Sequence, residues 1–287
     1  MRAIFNDSRL EEEFRKKGYV IVPFLNQAEA VALRSEASKL KPSDNFEGDQ
    51  ETAIGKQSFH VTFFDTIVEY KKNVFDFIQS VFNPAATQLL NNYKCAQANI
   101  FLKPGKKGFV YPHQNLTIVD EARYTSLSFW TPLQDTGFAN GTLCVVPGSQ
   151  IGFVKYRNTH VYWPYVKFFK EGRGLHYFET ISVKAGELLI LDDRIIHYTP
   201  VNTSADARWV LHALWAPSEA QLLFCDPTIK TVNIFEVPDD FWQFHAPGTL
   251  IENREPDMWF ANNETLLNEE MLTKKLEELK RLQSNPE

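Results

Sequence analysis

His113 and Asn115 stand two residues apart in YPHQN, and His197 closes the stretch GELLILDDRIIH. If YPHQN runs as a strand, the side chains of His113 and Asn115 point to the same side. Two histidines from distant strands, plus an oxygen donor two residues from the first, describe a facial triad. That arrangement suits iron(II) and leaves three positions open for a bidentate keto acid and dioxygen. Eleven residues beyond His197 comes Arg208, in NTSADARWVLHALW. The far carboxylate of a keto acid held deep in an apolar barrel needs a planar, permanently charged partner, which is arginine chemistry. Thr199 adds a hydroxyl for the same carboxylate. The remaining histidines read more simply: His60, His160, His176 and His245 as packed or surface residues, and His212, set among apolar neighbours, as a core residue or a support behind the metal.

Strands must position these groups. From about Lys94 onward, AQANIFLK, TSLSFWTPL, GTLCVVPG, HYFETISV, GELLILD and RWVLHALWA are β-branched, aromatic or alternating in character. Short strands with Pro-Gly and Asn-Gly turns imply a sandwich or small barrel. The first ninety residues read mostly as helices. Ser8 is the expected cap of a first helix stopped by Gly18, and Asn26 with Glu29 forms a capping box for a second. A longer helix is expected from about Asp65 to Asn83-Pro84. Near the end, Leu272, Leu276 and Leu279 share one helical face that packs back on the barrel.

A single domain over 1–287 is expected: a mostly helical part (1–93), a β core (94–216) and an extension ending in a helix (217–287). Within the core, about 151–178 forms an insertion with nine aromatics among Lys and Arg, expected as a lid over the barrel mouth or a satellite hydrophobic cluster. Asp120 and Glu121 are expected to be structural, paired with Arg123 or a nearby loop. Asp192 and Asp193 read as turn residues.

Composition narrows the function classes. The chain has 287 residues, 44% hydrophobic and 23% charged, which is ample for one core, and 14% aromatic, which favours a β fold around an apolar cavity. A net charge of −6 without a run of Lys and Arg argues against nucleic acid as a partner. No apolar run reaches membrane-spanning length, and the N-terminus lacks the apolar stretch of a signal peptide. Cys95, Cys144 and Cys225 are too scattered for a disulfide framework. A cytoplasmic protein is expected, with its oligomeric state open.

The order HQN, VDE, SFWTPLQDT, NGTLCVVPGS, GELLILDDRIIH and then Arg208, from about Ile100 to Ala216, resembles the phytanoyl-CoA dioxygenase-like branch of iron(II)/2-oxoglutarate oxygenases. The resemblance implies a mainly β fold with flanking helices and a double-stranded β-helix core, jelly-roll-like and cupin-type. By it, His113, position 115 and His197 hold iron(II). Arg208 and Thr199 bind 2-oxoglutarate, and Trp130 and Gln97 contact it from the wall. A small-molecule substrate and dioxygen complete the reaction, which is oxidation of a C–H bond with hydroxylation as the default outcome. Two positions depart from the family pattern: Asn115 stands where the family has Asp, and Gln150 stands where it usually has His after PGS. An amide oxygen ligates without contributing charge. Three readings therefore stay open: an active oxygenase with an amide ligand, a non-catalytic ligand-binding β-helix protein, and an Asp-to-Asn variant of an active oxygenase.

Overall fold

The computed structural model describes residues 2–50, 57–153, 155–158, 168–169, 173–228, 230–245, 254–261 and 269–284. Helix α1 (Ser8–Lys17) is capped by Asp7, not by Ser8; the Asp7 side chain accepts from the amides of Arg9 and Leu10. The helix stops at Gly18, whose φ of 82° is open to glycine at little cost. Strand β1 (Tyr19–Val22) follows. Helix α2 (Gln27–Ala37) opens with the expected Asn26/Glu29 capping box. Helix α3 (Val68–Leu89) runs through Pro84 instead of ending before it. An interior proline costs about 3 kcal/mol. Beyond it, Ala85, Ala86 and Leu90 are buried in the same cluster as Phe82, and that packing keeps the helix going.

Six strands form the larger sheet, in the order β1-β8-β5-β10-β3-β2. They are β2 (His60–Val61), β3 (Tyr93–Lys103), β5 (Leu127–Pro132), β8 (Leu188–Asp192) and β10 (Arg208–Pro217), together with β1. Their side chains alternate with period two. Ala98, Ile100, Leu102, Phe129, Ile190, Trp209, Leu211 and Ala213 face the helices in one apolar cluster. Trp130, Leu189, Leu191 and Val210 face the other way and pack with Leu143, Val145, Ile181 and Val183. Both faces are covered, so β10 is buried at every position. Each fully buried Leu, Ile or Phe stabilises by roughly 1.5–3 kcal/mol.

A four-stranded sheet, ordered β4-β9-β6-β7, closes over the inner face. It consists of β4 (Val110–His113), β6 (Cys144–Val145), β7 (Glu179–Thr180) and β9 (His197–Thr199). Two antiparallel sheets packed face to face in this way make the double-stranded β-helix. A third sheet of β11 (Leu222–Pro227), β12 (Thr231–Val237) and β13 (Met258–Ala261) follows the core. Helix α4 (Phe241–Phe244) lies after it. Helix α5 (Glu269–Ser284) buries Leu272 and Leu276 against Val146, Ile196, Phe168 and Phe169, with Leu279 alongside.

Residues 154, 159–167 and 170–172 of the aromatic insertion, His160 among them, lie outside the described residues, and with them the middle of the expected lid. Its described edges, Phe153, Phe168, Phe169, Leu175, Tyr177 and Phe178, join the cluster that α5 covers. Among the described residues no helix is long and apolar enough to cross a membrane.

Candidate active site

His113 on β4 and His197 on β9 are register partners. Their rings lie side by side, centroids 4.2 Å apart and planes inclined by 50°. Each ring is fixed from behind by its own strand: Nδ1 of His113 donates to the Tyr111 carbonyl at 2.8 Å, and Nδ1 of His197 to the Ile195 carbonyl at 3.0 Å. With Nδ1 carrying the proton, Nε2 of each ring keeps its lone pair. Burial lowers the pKa of His113. It holds His197 well below the ordinary histidine value, an effect that the neighbouring His113 reinforces. Both rings are therefore neutral near pH 7 and ready to ligate a cation.

Asn115 follows β4 and turns its amide toward the larger sheet. Its Nδ2 donates to Ser128 Oγ at 2.9 Å and to Asp193 Oδ1 at 2.8 Å. Ser128 Oγ donates in turn to Asp193 Oδ1 at 2.6 Å. Behind Ser128 stands His212, its Nε2 at 3.2 Å from the hydroxyl. Asn99 Nδ2 reaches His212 Nδ1 at 3.4 Å and Gln97 Oε1 at 3.0 Å, and Gln97 Nε2 donates to the Trp242 carbonyl at 2.9 Å. A polar chain thus crosses the inner face of the larger sheet from α4 to Asn115. Burial holds His212 neutral, its pKa down to about 3, and pushes the Asp193 carboxyl up to about 6. Gln97, expected as a cosubstrate wall contact, is a hydrogen-bonded link in this chain.

Arg208 begins β10 and is 3% exposed. Its Nε and Nη1 are buried without a hydrogen-bond partner, as is the hydroxyl of Thr199. Burial alone pulls the Arg208 pKa to about 9, which still leaves the guanidinium charged at neutral pH. Trp130 offers its ring face at 5.5 Å from Cζ. Directly across the strand pair is Lys103, also buried. Its Nζ donates to the carbonyls of Thr199 (3.1 Å) and Pro200 (2.6 Å). Burial, then the charge of Arg208, holds the Lys103 pKa well below normal. A buried guanidinium beside an unpaired hydroxyl, with no carboxylate on it among the described residues, forms a receptor for an anionic oxygen group.

The other acidic candidates lie elsewhere. Glu121 clasps Arg157, not Arg123, through both carboxylate oxygens, and Asp120 accepts from the Ala122 amide in its own turn. Asp192 is the turn residue expected, held by Arg194. Asp193 is the next residue of that turn, as expected, but its side chain is buried and joins the site. Gln150 donates to the Arg15 carbonyl at 2.9 Å and serves the α1 end of the barrel. His176 packs at a tilt against Tyr177, and His245 stacks on Phe241. Sequence reasoning missed Asp193, Ser128 and Lys103. For Lys103 a signal existed, because alternation in AQANIFLK puts it on the face of Gln97 and Asn99.

Residues 14–210 match the family model described as phytanoyl-CoA dioxygenase, a stretch containing His113, Asn115, His197 and Arg208. A protein named phytanoyl-CoA dioxygenase 1, from Oryza sativa subsp. japonica, is 31% identical over 121 residues, which is 40% of each chain. The chain spans about two fifths of the length of the first curated relatives it matches. Among solved structures, EvdO2 from Micromonospora carbonacea var. aurantiaca aligns with a TM-score of 0.52 at 20% identity, covering 79% of this chain and 97% of that one. HygX from Streptomyces hygroscopicus, solved with nickel, 2-oxoglutarate and hygromycin B, gives 0.51 at 13% identity, covering 74% and 88%. At these identities the structures share the fold.

Proposed function

The chain belongs to the phytanoyl-CoA dioxygenase family, and from that premise we propose that it is an iron(II)- and 2-oxoglutarate-dependent oxygenase acting on a C–H bond of a small organic molecule. The observation that supports this reading is a set of unsatisfied groups: two neutral histidines whose Nε2 lone pairs are left open, with Thr199 two residues beyond His197 on the same strand, and Arg208 with Nε and Nη1 buried without partners. A buried unpaired guanidinium is expensive, and a protein that keeps one has a ligand for it.

His113, His197 and the amide oxygen of Asn115 would hold iron(II). Arg208 would take the far carboxylate of 2-oxoglutarate with two parallel donors, Thr199 would add a third, and Trp130 would wall the carboxylate from water. When bound, the metal and keto acid supply oxidation by dioxygen: one oxygen atom ends in succinate as carbon dioxide leaves, and the other in the oxidised substrate. This chain's residues orient the cosubstrate, keep both imidazoles unprotonated and exclude water. Its three cysteines are unpaired, which supports a reducing compartment.

The neutral amide at Asn115 favours one other reading, a ligand-binding protein of the same fold that oxidises nothing. Iron content measured together with succinate release from 2-oxoglutarate under air separates the two. The oxygenase reading expects about one iron per chain and catalytic succinate release. Stoichiometric 2-oxoglutarate binding without turnover, across a range of candidate substrates, would leave the binding protein.

A further inference from the structure

Asn115 brings no charge to the proposed metal, but a carboxylate stands directly behind it. Asp193 lies between β8 and His197, and its side chain is wholly buried. The two residues are joined twice: Asn115 N donates to the Asp193 carbonyl at 2.8 Å, and Asn115 Nδ2 to Asp193 Oδ1 at 2.8 Å. The other carboxylate oxygen, Oδ2, is buried with no hydrogen-bond partner, with the Ser126 hydroxyl near the carboxyl as a weak stabiliser of its charge. An oxygen so placed is costly unless a positive charge sits near it.

The donors also decide which way the amide faces. Asp193 Oδ1 already receives the Ser128 proton, so both of its neighbours present acceptors to Asn115, and the NH2 end must point at them. Oδ1 of Asn115 is left as the free lone-pair atom. Donating Nδ2–H to a carboxylate polarises the amide and makes that oxygen more basic. Asp193 does not join the histidines directly: among the described residues, Asp44, His60 and Asp65 are the only three His, Cys, Asp or Glu side chains with ligand atoms all within 4.8 Å.

We propose that Asp193 is a positioning residue for the metal, holding Asn115 with its amide oxygen presented to the cation and supplying, one hydrogen bond away, the charge that an aspartate at 115 would carry. The inference rests on the reading of His113, Asn115 and His197 as the metal site.

Four proteins test it: wild type, Asp193→Asn, Asn115→Asp, and Asn115→Asp combined with Asp193→Asn. Cobalt(II) affinity is measured by competition titration without 2-oxoglutarate, with the metal's visible spectrum as a report on coordination and Tm as a check of fold. Asp193→Asn is expected to weaken cobalt binding by about 10- to 100-fold. Asn115→Asp places two carboxylates in contact and lowers the Tm of the metal-free protein. Exchanging the two residues returns one carboxylate to the pair, restoring Tm and bringing cobalt affinity to wild-type strength or better. That rescue is the outcome a merely structural Asp193 would not give. Cobalt affinity within twofold of wild type in Asp193→Asn, or single effects that simply add in the exchanged protein, would overturn the proposal. His197→Ala separates the layers. Cobalt binding undiminished in that variant removes the metal-site reading and this inference with it, whereas loss there with no change in Asp193→Asn removes this inference alone.

Discussion

Asp44, His60 and Asp65 gather their ligand atoms within 4.8 Å, yet each is already engaged. Nδ1 of His60 is bonded to Asp44 at 2.8 Å and Nε2 to the Tyr70 hydroxyl at 2.9 Å. Asp65 accepts from the amides of Ser43 and Ile67 and from the Ser43 hydroxyl, and Asp44 takes the amides of Phe46 and Gly48. The centre at His113 and His197 is built the other way. Its rings keep their outer nitrogens free, and Thr199, Arg208 and Asp193 hold buried atoms with no partner. Proximity of metal-binding residue types marks the first group, and unspent bonding capacity marks the second. A polar network with every atom satisfied rigidifies a loop, while a buried one left open stores a cost that only a ligand removes.

Replacing one histidine in each group should break this comparison most sharply. His197→Ala is expected to lower metal affinity more than about 100-fold while changing stability little. His60→Ala should leave metal affinity within twofold and cost roughly 2–4 kcal/mol in urea denaturation, because it strands Asp44 and Tyr70 in the interior. The reverse pattern would exchange the roles of the two groups.

Next in size is Arg208→Met. Cosubstrate affinity should fall by about 2–5 kcal/mol, read by calorimetry. The ligand-free protein should keep or raise its Tm, because a lone buried charge has gone. No comparable substitution in the Asp44–His60 network would combine those signs.

The pH dependence of the metal-free protein sharpens the same contrast. His113, His197 and His212 have folded pKa values lowered by burial. As pH falls below about 6.5, the unfolded chain takes up protons that the folded one refuses, and stability drops by up to about 1.4 kcal/mol per pH unit for each of the buried rings His197 and His212, and by less for the half-buried His113. For His212 the loss continues down to about pH 3. Asp193 opposes it: its folded pKa is raised to about 6, so the native state gains a proton first and is relatively stabilised between there and about pH 4. Urea midpoints should therefore fall from pH 7 to pH 5, and less steeply in His212→Gln. A flat profile would mean that the rings are not held neutral.

The smallest effect is expected for Lys103→Met. Losing its bonds to the Thr199 and Pro200 carbonyls should cost about 1 kcal/mol, a roughly fivefold weaker 2-oxoglutarate complex by calorimetry.

What could be read in the chain and what could not divide along physical lines. The pairing of His113 with His197 and the burial of Arg208 follow elements that strand alternation and spacing make visible locally, and Asn26 with Glu29 is visible because a capping box is local too. The inward side chain of Asp193 is not. A pair of aspartates before RIIH looks like a turn, and only the pairing of Asp192 with Arg194 sends its neighbour inward. Pro84 looked like a helix end because local sterics say so, while burial of Ala85 and Ala86 overrides them. Asp7 took the cap from Ser8 because its carboxylate accepts from two amides at once. The Asp44–His60–Asp65 network joins a loop to β2 and the start of α3, and no spacing announces it.

The central claim is that the histidine pair and Arg208 form one centre whose two ligands bind to each other's advantage. Anaerobic calorimetry of 2-oxoglutarate into the protein, with and without manganese(II) as an iron stand-in, tests it directly. Wild type should bind one 2-oxoglutarate per chain, at least tenfold more tightly with metal, and by linkage the metal should bind more tightly with 2-oxoglutarate. In His197→Ala the metal should make no difference. Equal 2-oxoglutarate affinity with and without metal in the wild type, or a metal effect that survives in His197→Ala, would contradict the account.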